Sequence, residues 1–213
     1  KFASFIFALG VLLALFLTQN LPFTFGDDLN VIDTAKSVSW GKLLAQVANP
    51  LTPAWYIHGA ESLLTTRAFE TAIFKFLHEN FGYFPNAFWT LKALSFGGLG
   101  AAIFLFVFGL TGNRWLSSGA AVFFYLLPPV YRSLSWIADP EIIVQMLVGI
   151  SFVIFFQLYQ DRTKGNLQWA GLLVGMILLS WCGIKTKETA RIVPFVLAGF
   201  LLLRHHAGFP VWV

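Results

Sequence analysis

Six apolar runs, at 2–18, 85–110, 115–127, 141–159, 167–184 and 188–203, limit most strictly what this chain can fold into. A helix needs about 20 apolar residues to cross a hydrocarbon core. Inside that core the backbone must satisfy its own hydrogen bonds, which leaves a helix as the economical form for runs of this length. The reading is all-α: a polytopic transmembrane helix bundle of about six spans. The composition agrees, because 57% of the residues are hydrophobic and only 11% are charged, against about 25% charged in a soluble domain. The first run, extended by 21–25 and broken by Pro22, has no small-residue cleavage site after it, so it reads as a retained helix and not a signal sequence. Residues 1–213 are taken as one transmembrane domain, the N-terminal part of a longer protein.

The stretch 19–84 is different. Leu29, Ile32, Val38, Trp40, Leu43, Leu44 and Val47 recur at helical spacing, with Asp33 at an early turn. Asn49-Pro50 and Thr52-Pro53 interrupt the pattern. A second amphipathic piece carries Phe69, Ile73, Phe76 and Leu77 on one side, with Arg67, Glu70, Lys75 and Glu79 elsewhere, and stops at Asn80-Phe81-Gly82. Both pieces are expected to lie on the membrane surface as parts of one long non-cytoplasmic loop. Pro128-Pro129 should end the third run and leave 130–140 as a link carrying Arg132, Trp136 and Asp139.

Alternating spans put the acidic loop, the Arg132 to Asp139 link and the Lys185 to Arg191 link on one side. Arg114, Arg162, Lys164 and Arg204 fall on the other. Basic residues in the short loops nearly balance, and the acidic loop is placed outside because long loops escape the positive-inside rule. The net charge of +4 comes with no Lys/Arg run, which argues against nucleic acid as a partner. Cys182 is the single cysteine, so no internal disulfide forms.

Asp27 and Asp28 are the leading site candidates. Two carboxylates beside a membrane-length segment are costly unless they meet water, a cation or a reacting group. An ionised carboxylate there can take a proton from an acceptor hydroxyl, and the plainer alternative is a helix N-cap before Leu29. The cluster Lys185, Lys187, Glu188 and Arg191 offers charge-assisted hydrogen bonds to a lipid-linked phosphate, or else helix ends snorkelling to the headgroups. Arg132 and Asp139 present the same choice, with Asp139-Pro140-Glu141 reading as a helix start. Gly97, Gly98 and Gly100 are expected to allow close helix packing. His58, His78, His205 and His206 have no zinc-site spacing, and no glycine-rich phosphate loop or nucleophile elbow is present.

Taken together, these features resemble the N-terminal half of the GT-C superfamily of membrane glycosyltransferases, in the branch of protein O-mannosyltransferases that use dolichyl-phosphate-mannose. The resemblance rests on Asp27-Asp28 after a first helix, a long loop with amphipathic helices, Arg67 before Phe81-Gly82 and Pro85, Pro129 ahead of Trp136, and Lys187-Glu188-Thr189 with Pro194. It implies sugar transfer from a polyprenyl-phosphate donor to an acceptor glycan, lipid or protein on the non-cytoplasmic face of a bacterial inner membrane or an ER-type membrane. Asp27 or Asp28 would be catalytic. Lys187, Arg191, Arg132 and Lys185 would bind the donor phosphate, with Glu188 and Arg67 in support. It calls for no cofactor beyond the lipid-linked sugar, and a divalent metal is neither required nor excluded. Membrane lipid and other membrane subunits are the remaining partners, and a catalytically silent GT-C-like scaffold subunit is the alternative. Relatives often carry Pro after the loop arginine, and His and Asn in the second helix, where this chain has Ala68, Trp89 and Lys92.

Overall fold

A computed structural model describes residues 1–19, 21, 27–48, 67–128, 133–134, 139, 141–160 and 166–186. These residues form helices α1 (Phe2–Thr18), α2 (Asp27–Ser37), α3 (Trp40–Ala48), α4 (Ala68–Phe81), α5 (Pro85–Thr111), α6 (Arg114–Tyr125), α7 (Glu141–Gln160) and α8 (Asn166–Thr186), with no strand among them. The all-α expectation holds. Helix α5 is the axis: α1, α6 and α7 all pack directly against it, and α8 packs on the far side of α7.

Local chemistry explains the ends of α5 and its neighbours. Pro85 opens α5 at a position where a missing N–H costs nothing. Gly112 closes it in the left-handed conformation, φ 65°, and its N–H donates to the Phe108 carbonyl. Asn113 then caps α6 through Oδ1, which accepts from the N–H groups of Trp115 at 3.0 Å and Leu116 at 3.2 Å. The α5–α6 connection is therefore two residues long and the helices run antiparallel. At the other end of α1 the sequence reading is corrected. The helix finishes at Thr18, whose hydroxyl donates to the Ala14 carbonyl, and Leu21 is not helical. Residues 22–25 of the expected extension lie outside the described residues.

Alpha-1 and α5 meet almost backbone to backbone. A Cβ built on Gly97 would lie 2.6 Å from the Phe7 carbonyl oxygen and 2.6 Å from Val11 Cγ2. The Tyr125 ring, brought in by α6, occupies the space beside Gly10 and Gly100, and its hydroxyl donates to the Ile6 carbonyl at 3.0 Å. Ile6, Ala14, Ala93, Phe96, Phe104, Ala121, Tyr125, Leu134 and Ile142 form the core around this crossing. Gly98 meets Met146 of α7. The packing role read from Gly97, Gly98 and Gly100 is what the structure has.

The amphipathic stretch is also real, with a break and a different phase. It divides at Val38-Ser39, where the Ser39 hydroxyl accepts from the Lys42 N–H and starts α3. Val31, Ile32 and Ala35 of α2 bury against Phe74 and Leu77 of α4 and against Phe88 and Trp89 at the start of α5. In α4 the expected apolar side is only partly the inner one, because Phe76 faces out while Glu70, Thr71 and Lys75 are buried. Helices α2, α3 and α4 thus make a second layer at the end of the bundle where α5 begins.

Among the described residues, one helix, Pro85–Thr111, is long and apolar enough to cross a membrane, and three shorter apolar helical stretches accompany it. Large apolar side chains point away from the bundle on α1 (Phe5, Leu12, Phe16), α6 (Trp115, Leu116, Phe123) and α8 (Leu167, Val174, Leu178). A sixth span at 188–203 lies outside the described residues.

Gly97→Ala should therefore force α1 off α5 and destabilise the bundle by about 1–3 kcal/mol, the usual cost of overpacking. Gly119→Ala, whose Cβ would meet nothing within 4 Å, should be neutral or slightly stabilising. Unfolding of the two variants in detergent micelles measures the contrast.

Candidate functional site

The sequence-derived residues divide into those the structure places and those it does not. Asp27 and Asp28 are the first two residues of α2, so the acidic pair starts a helix, where negative charge is favoured by the helix dipole. Their side chains, and residues Arg132, Lys187, Glu188 and Arg191, lie outside the described residues. Asp139 is a helix start as expected: its Oδ1 accepts from the Glu141 N–H at 3.2 Å and its Oδ2 accepts from the Ser133 hydroxyl at 2.9 Å. Lys185 departs from expectation. Expected to reach either a phosphate or the headgroups, it is only 5% exposed, with Nζ 5.2 Å from the Trp181 ring centre in the last turn of α8. Burying the stem on an indole face while the charge sits at a helix C-terminus explains that placement. Arg67 stands at the N-cap of α4, its guanidinium 4.0 Å from the buried Glu70 carboxylate.

Two residues noted in sequence only as departures from the GT-C pattern are central. Trp89, 2% exposed, donates from Nε1 to the Leu21 carbonyl at 2.8 Å, tying the chain after α1 to the first turns of α5. Lys92, one turn further in and 1% exposed, donates from Nζ to the Ser133 carbonyl at 3.1 Å and to the Asp139 carbonyl. Position and type were the available signal: a lysine eight residues into an otherwise apolar run is a site candidate by default. Its partners could not be foreseen, because they come from a link more than forty residues away.

Further contacts lock the outer layer to this end. The Trp181 indole of α8 donates to the Val47 carbonyl at the end of α3, at 2.8 Å. Trp40 of α3 donates from Nε1 to Glu79 Oε2 at 2.9 Å, and Lys75 Nζ lies 3.0 Å from Glu79 Oε1. The Lys75 hydrogen bond, then the Trp40 one, hold the Glu79 carboxyl below its ordinary range near 4.5. The Tyr83 hydroxyl, in the turn before α5, donates to Asp33 Oδ1 of α2. That bond raises the tyrosine's pKa, because the ionised phenol would lose it and face a carboxylate. The His78 ring stands edge-on to Tyr83 at 4.7 Å, and Lys36 Nζ lies 5.9 Å from the Tyr83 ring centre.

The arrangement gathers the start of α2, the start of α5, the Ser133–Asp139 region and the end of α8 at one end of the antiparallel helices. The opposite end, around Phe2, Phe104, Arg114 and Trp115, holds aromatic stacking and cation–π contacts. Among the described residues no group of three or more His, Cys, Asp and Glu side chains could hold a metal ion. No family model matches the chain, and neither a curated protein nor a solved structure matches it.

The Glu79 contacts set a pH dependence. A carboxyl whose folded pKa is depressed contributes stability above its unfolded value and loses it as pH falls through the folded one. The α3–α4 junction should thus weaken as pH drops below about 4.5, modestly, because the Glu79 carboxylate is solvent-exposed. Hydrogen exchange of the α3 amides, corrected for intrinsic rate, should show that acid step in the native chain and not in Glu79→Gln.

Proposed function

We propose that the chain is a multi-pass membrane protein that transfers a sugar from a polyprenyl-phosphate donor at the end of the bundle where α2 begins. One observation carries the reading: the start of the helix bearing Asp27 and Asp28 is fixed against α4 and the first turns of α5, at the same end as the buried lysines Lys92 and Lys185. An acceptor hydroxyl approaching the acidic pair would lose its proton to a carboxylate as it attacks the sugar carbon. Positive charge at the same end would stabilise the phosphate as it leaves. Lys187, Arg191 and Arg132 would supply that charge at the ligand, whereas Lys185, stacked on Trp181, would act from behind it.

The exposed apolar faces of α1, α6 and α8 support the membrane environment, because patches of this extent in water mark a surface that needs another apolar phase. With about 17 residues, or roughly 26 Å of helix, α1 reaches close to the thickness of a hydrocarbon core. The proposed active face is the non-cytoplasmic one. A scaffold reading is favoured by one specific feature. Trp89 and Lys92, which replace the polar pair common in GT-C relatives, are engaged with backbone carbonyls of this chain.

Transfer assays in membranes from cells expressing the full-length protein separate the two. Asp27→Asn, Asp28→Asn and the double variant are compared with the native chain at matched expression. An enzyme should lose at least about a hundredfold in transfer when its base is neutralised, with the other aspartate less sensitive. A scaffold should show no transfer from any polyprenyl-phosphate donor and should assemble with its partners as before when both positions are Asn.

A further inference from the structure

Four helix ends meet at the end of the bundle opposite the acidic pair. Helix α5 stops at Thr111 and α6 starts at Arg114. Phe2, the first residue of α1, stacks on Phe104 of α5 at 6.4 Å and meets the Trp115 ring edge-on at 6.1 Å. Helix α7 arrives there too, because Phe156, near its end, packs on Phe106 and beside Gly109. The backbone reverses at Gly112-Asn113 between two apolar helices, and in a membrane such a turn lies where water or headgroups reach its polar groups. The side chains agree. Trp115 is 69% exposed, and Phe108 and Leu116 are exposed as well. Indole rings concentrate at the membrane–water boundary, where one side of the ring is apolar and the other wet.

Charge at this end is mainly of one sign. Lys1 precedes α1, Arg114 opens α6, and the segment between α7 and α8 carries Arg162 and Lys164 with Asp161 as its single acid. At the other end Arg67 meets Glu70 and Lys75 meets Glu79. Arg114 is the cation that the structure positions. Its guanidinium carbon lies 5.3 Å from the Phe2 ring centre and 5.5 Å from the Trp115 ring centre, so rings from α1 and α6 both hold it. Among the described residues no carboxylate pairs with it. The first turn of α6 does not compete for an anion, since Asn113 Oδ1 already accepts from the N–H groups of Trp115 and Leu116. An exposed guanidinium held at the headgroup level suits a phosphodiester, whose two oxygens it can meet with paired N–H donors.

We propose that this end of the bundle docks on anionic phospholipid headgroups, with Arg114, set between Phe2 and Trp115, as the phosphate-binding group. Charge complementarity selects this occupant, because each basic residue near an anionic leaflet adds to the attraction. Exposed apolar side chains continue from the same level along the bundle, Phe5 and Leu12 on α1 and Phe123 on α6, where the acyl chains would lie. The proposal rests on the multi-pass reading above but not on sugar transfer. Anionic lipid is concentrated in the cytoplasmic leaflet, so the contact also orients the chain, with the layer of α2, α3 and α4 on the opposite face.

The test uses the full chain with Cys182→Ser as background. Asn86→Cys and Thr111→Cys, both exposed near the ends of α5, are first treated with impermeant maleimide in sealed vesicles of known sidedness. Asn86→Cys should react from the non-cytoplasmic side and Thr111→Cys from the cytoplasmic side. Reaction of both from one side would remove the spanning reading itself, and the reverse assignment would overturn the proposal alone. Lipid choice is then read locally, from a fluorophore on the exposed Leu116→Cys in phosphatidylcholine bilayers, with brominated phosphatidylglycerol or brominated phosphatidylcholine as quencher. The anionic lipid should be preferred about fivefold, the share of one basic residue beside an anionic surface. A fluorophore on Phe81→Cys, exposed at the other end, should show no such preference. Arg114→Gln should abolish most of the preference at Leu116→Cys. Arg114→Lys, a point charge without paired donors, and Trp115→Leu, which releases the guanidinium but keeps its charge, should each lower it. Equal quenching by both lipids, or a preference unchanged by Arg114→Gln, would overturn the proposal. Native preference in both Arg114→Lys and Trp115→Leu would reduce the site to diffuse surface charge and overturn it too. So would displacement of the lipid by soluble glycerol phosphate at matched ionic strength, which would assign the site to a free phosphate.

Discussion

The crossing of α1 over α5 is the contact on which the rest depends. Two helix backbones this close are held by tight van der Waals packing around small residues and by a few hydrogen bonds. Gly97 lets the Phe7 carbonyl and Val11 approach the α5 backbone, and the Tyr125 ring fills the adjoining space beside Gly10 and Gly100. Because that ring belongs to α6, the same point fixes three helices at once. Its hydroxyl finds the Ile6 carbonyl, which offsets the cost of placing a phenol in the core.

From this axis the candidate site follows by a series of tethers to α5. Trp89 holds the chain leaving α1 and Lys92 holds the chain entering α7, one helical turn apart. Phe88 and Trp89 also receive the inner faces of α2 and α4. The acidic pair at the start of α2 is thereby referenced to the packed part of the molecule. Under the proposed function that placement matters, because orientation contributes to rate only when the group is held in place.

The outer layer is joined by polar contacts of another kind. Trp40, Lys75 and Glu79 bind α3 to α4, and Asp33 and Tyr83 bind α2 to the turn before α5. The Glu79 carboxylate and the Tyr83 and Asp33 side chains are exposed to water, so these contacts are weaker and more sensitive to pH than the buried tethers. The molecule thus has a packed apolar core that sets position and an exposed polar layer that is easier to loosen.

Much of the helix pattern was legible in the chain. Apolar runs bounded by Pro85, by Gly112-Asn113 and by Asp139-Pro140 have local causes, since each boundary residue fixes a backbone angle or caps a free N–H within a few positions. The glycines of α5 and the helix-start role of Asp139 were readable for the same reason. The facing of α4 was not, because its composition leaves more than one side able to bury, and contact with α2 and α8 decided that Phe76 faces out while Glu70 and Lys75 face in. Lys185 and Lys92 show the same division. Sequence placed Lys185 in a cationic cluster and noted Lys92 only as a change from the GT-C pattern, although its residue type inside an apolar run was visible. Only the fold supplied the Trp181 ring and the Ser133 and Asp139 carbonyls that offset the cost, because these partners are brought together by packing between helices and are not encoded within one turn of either lysine.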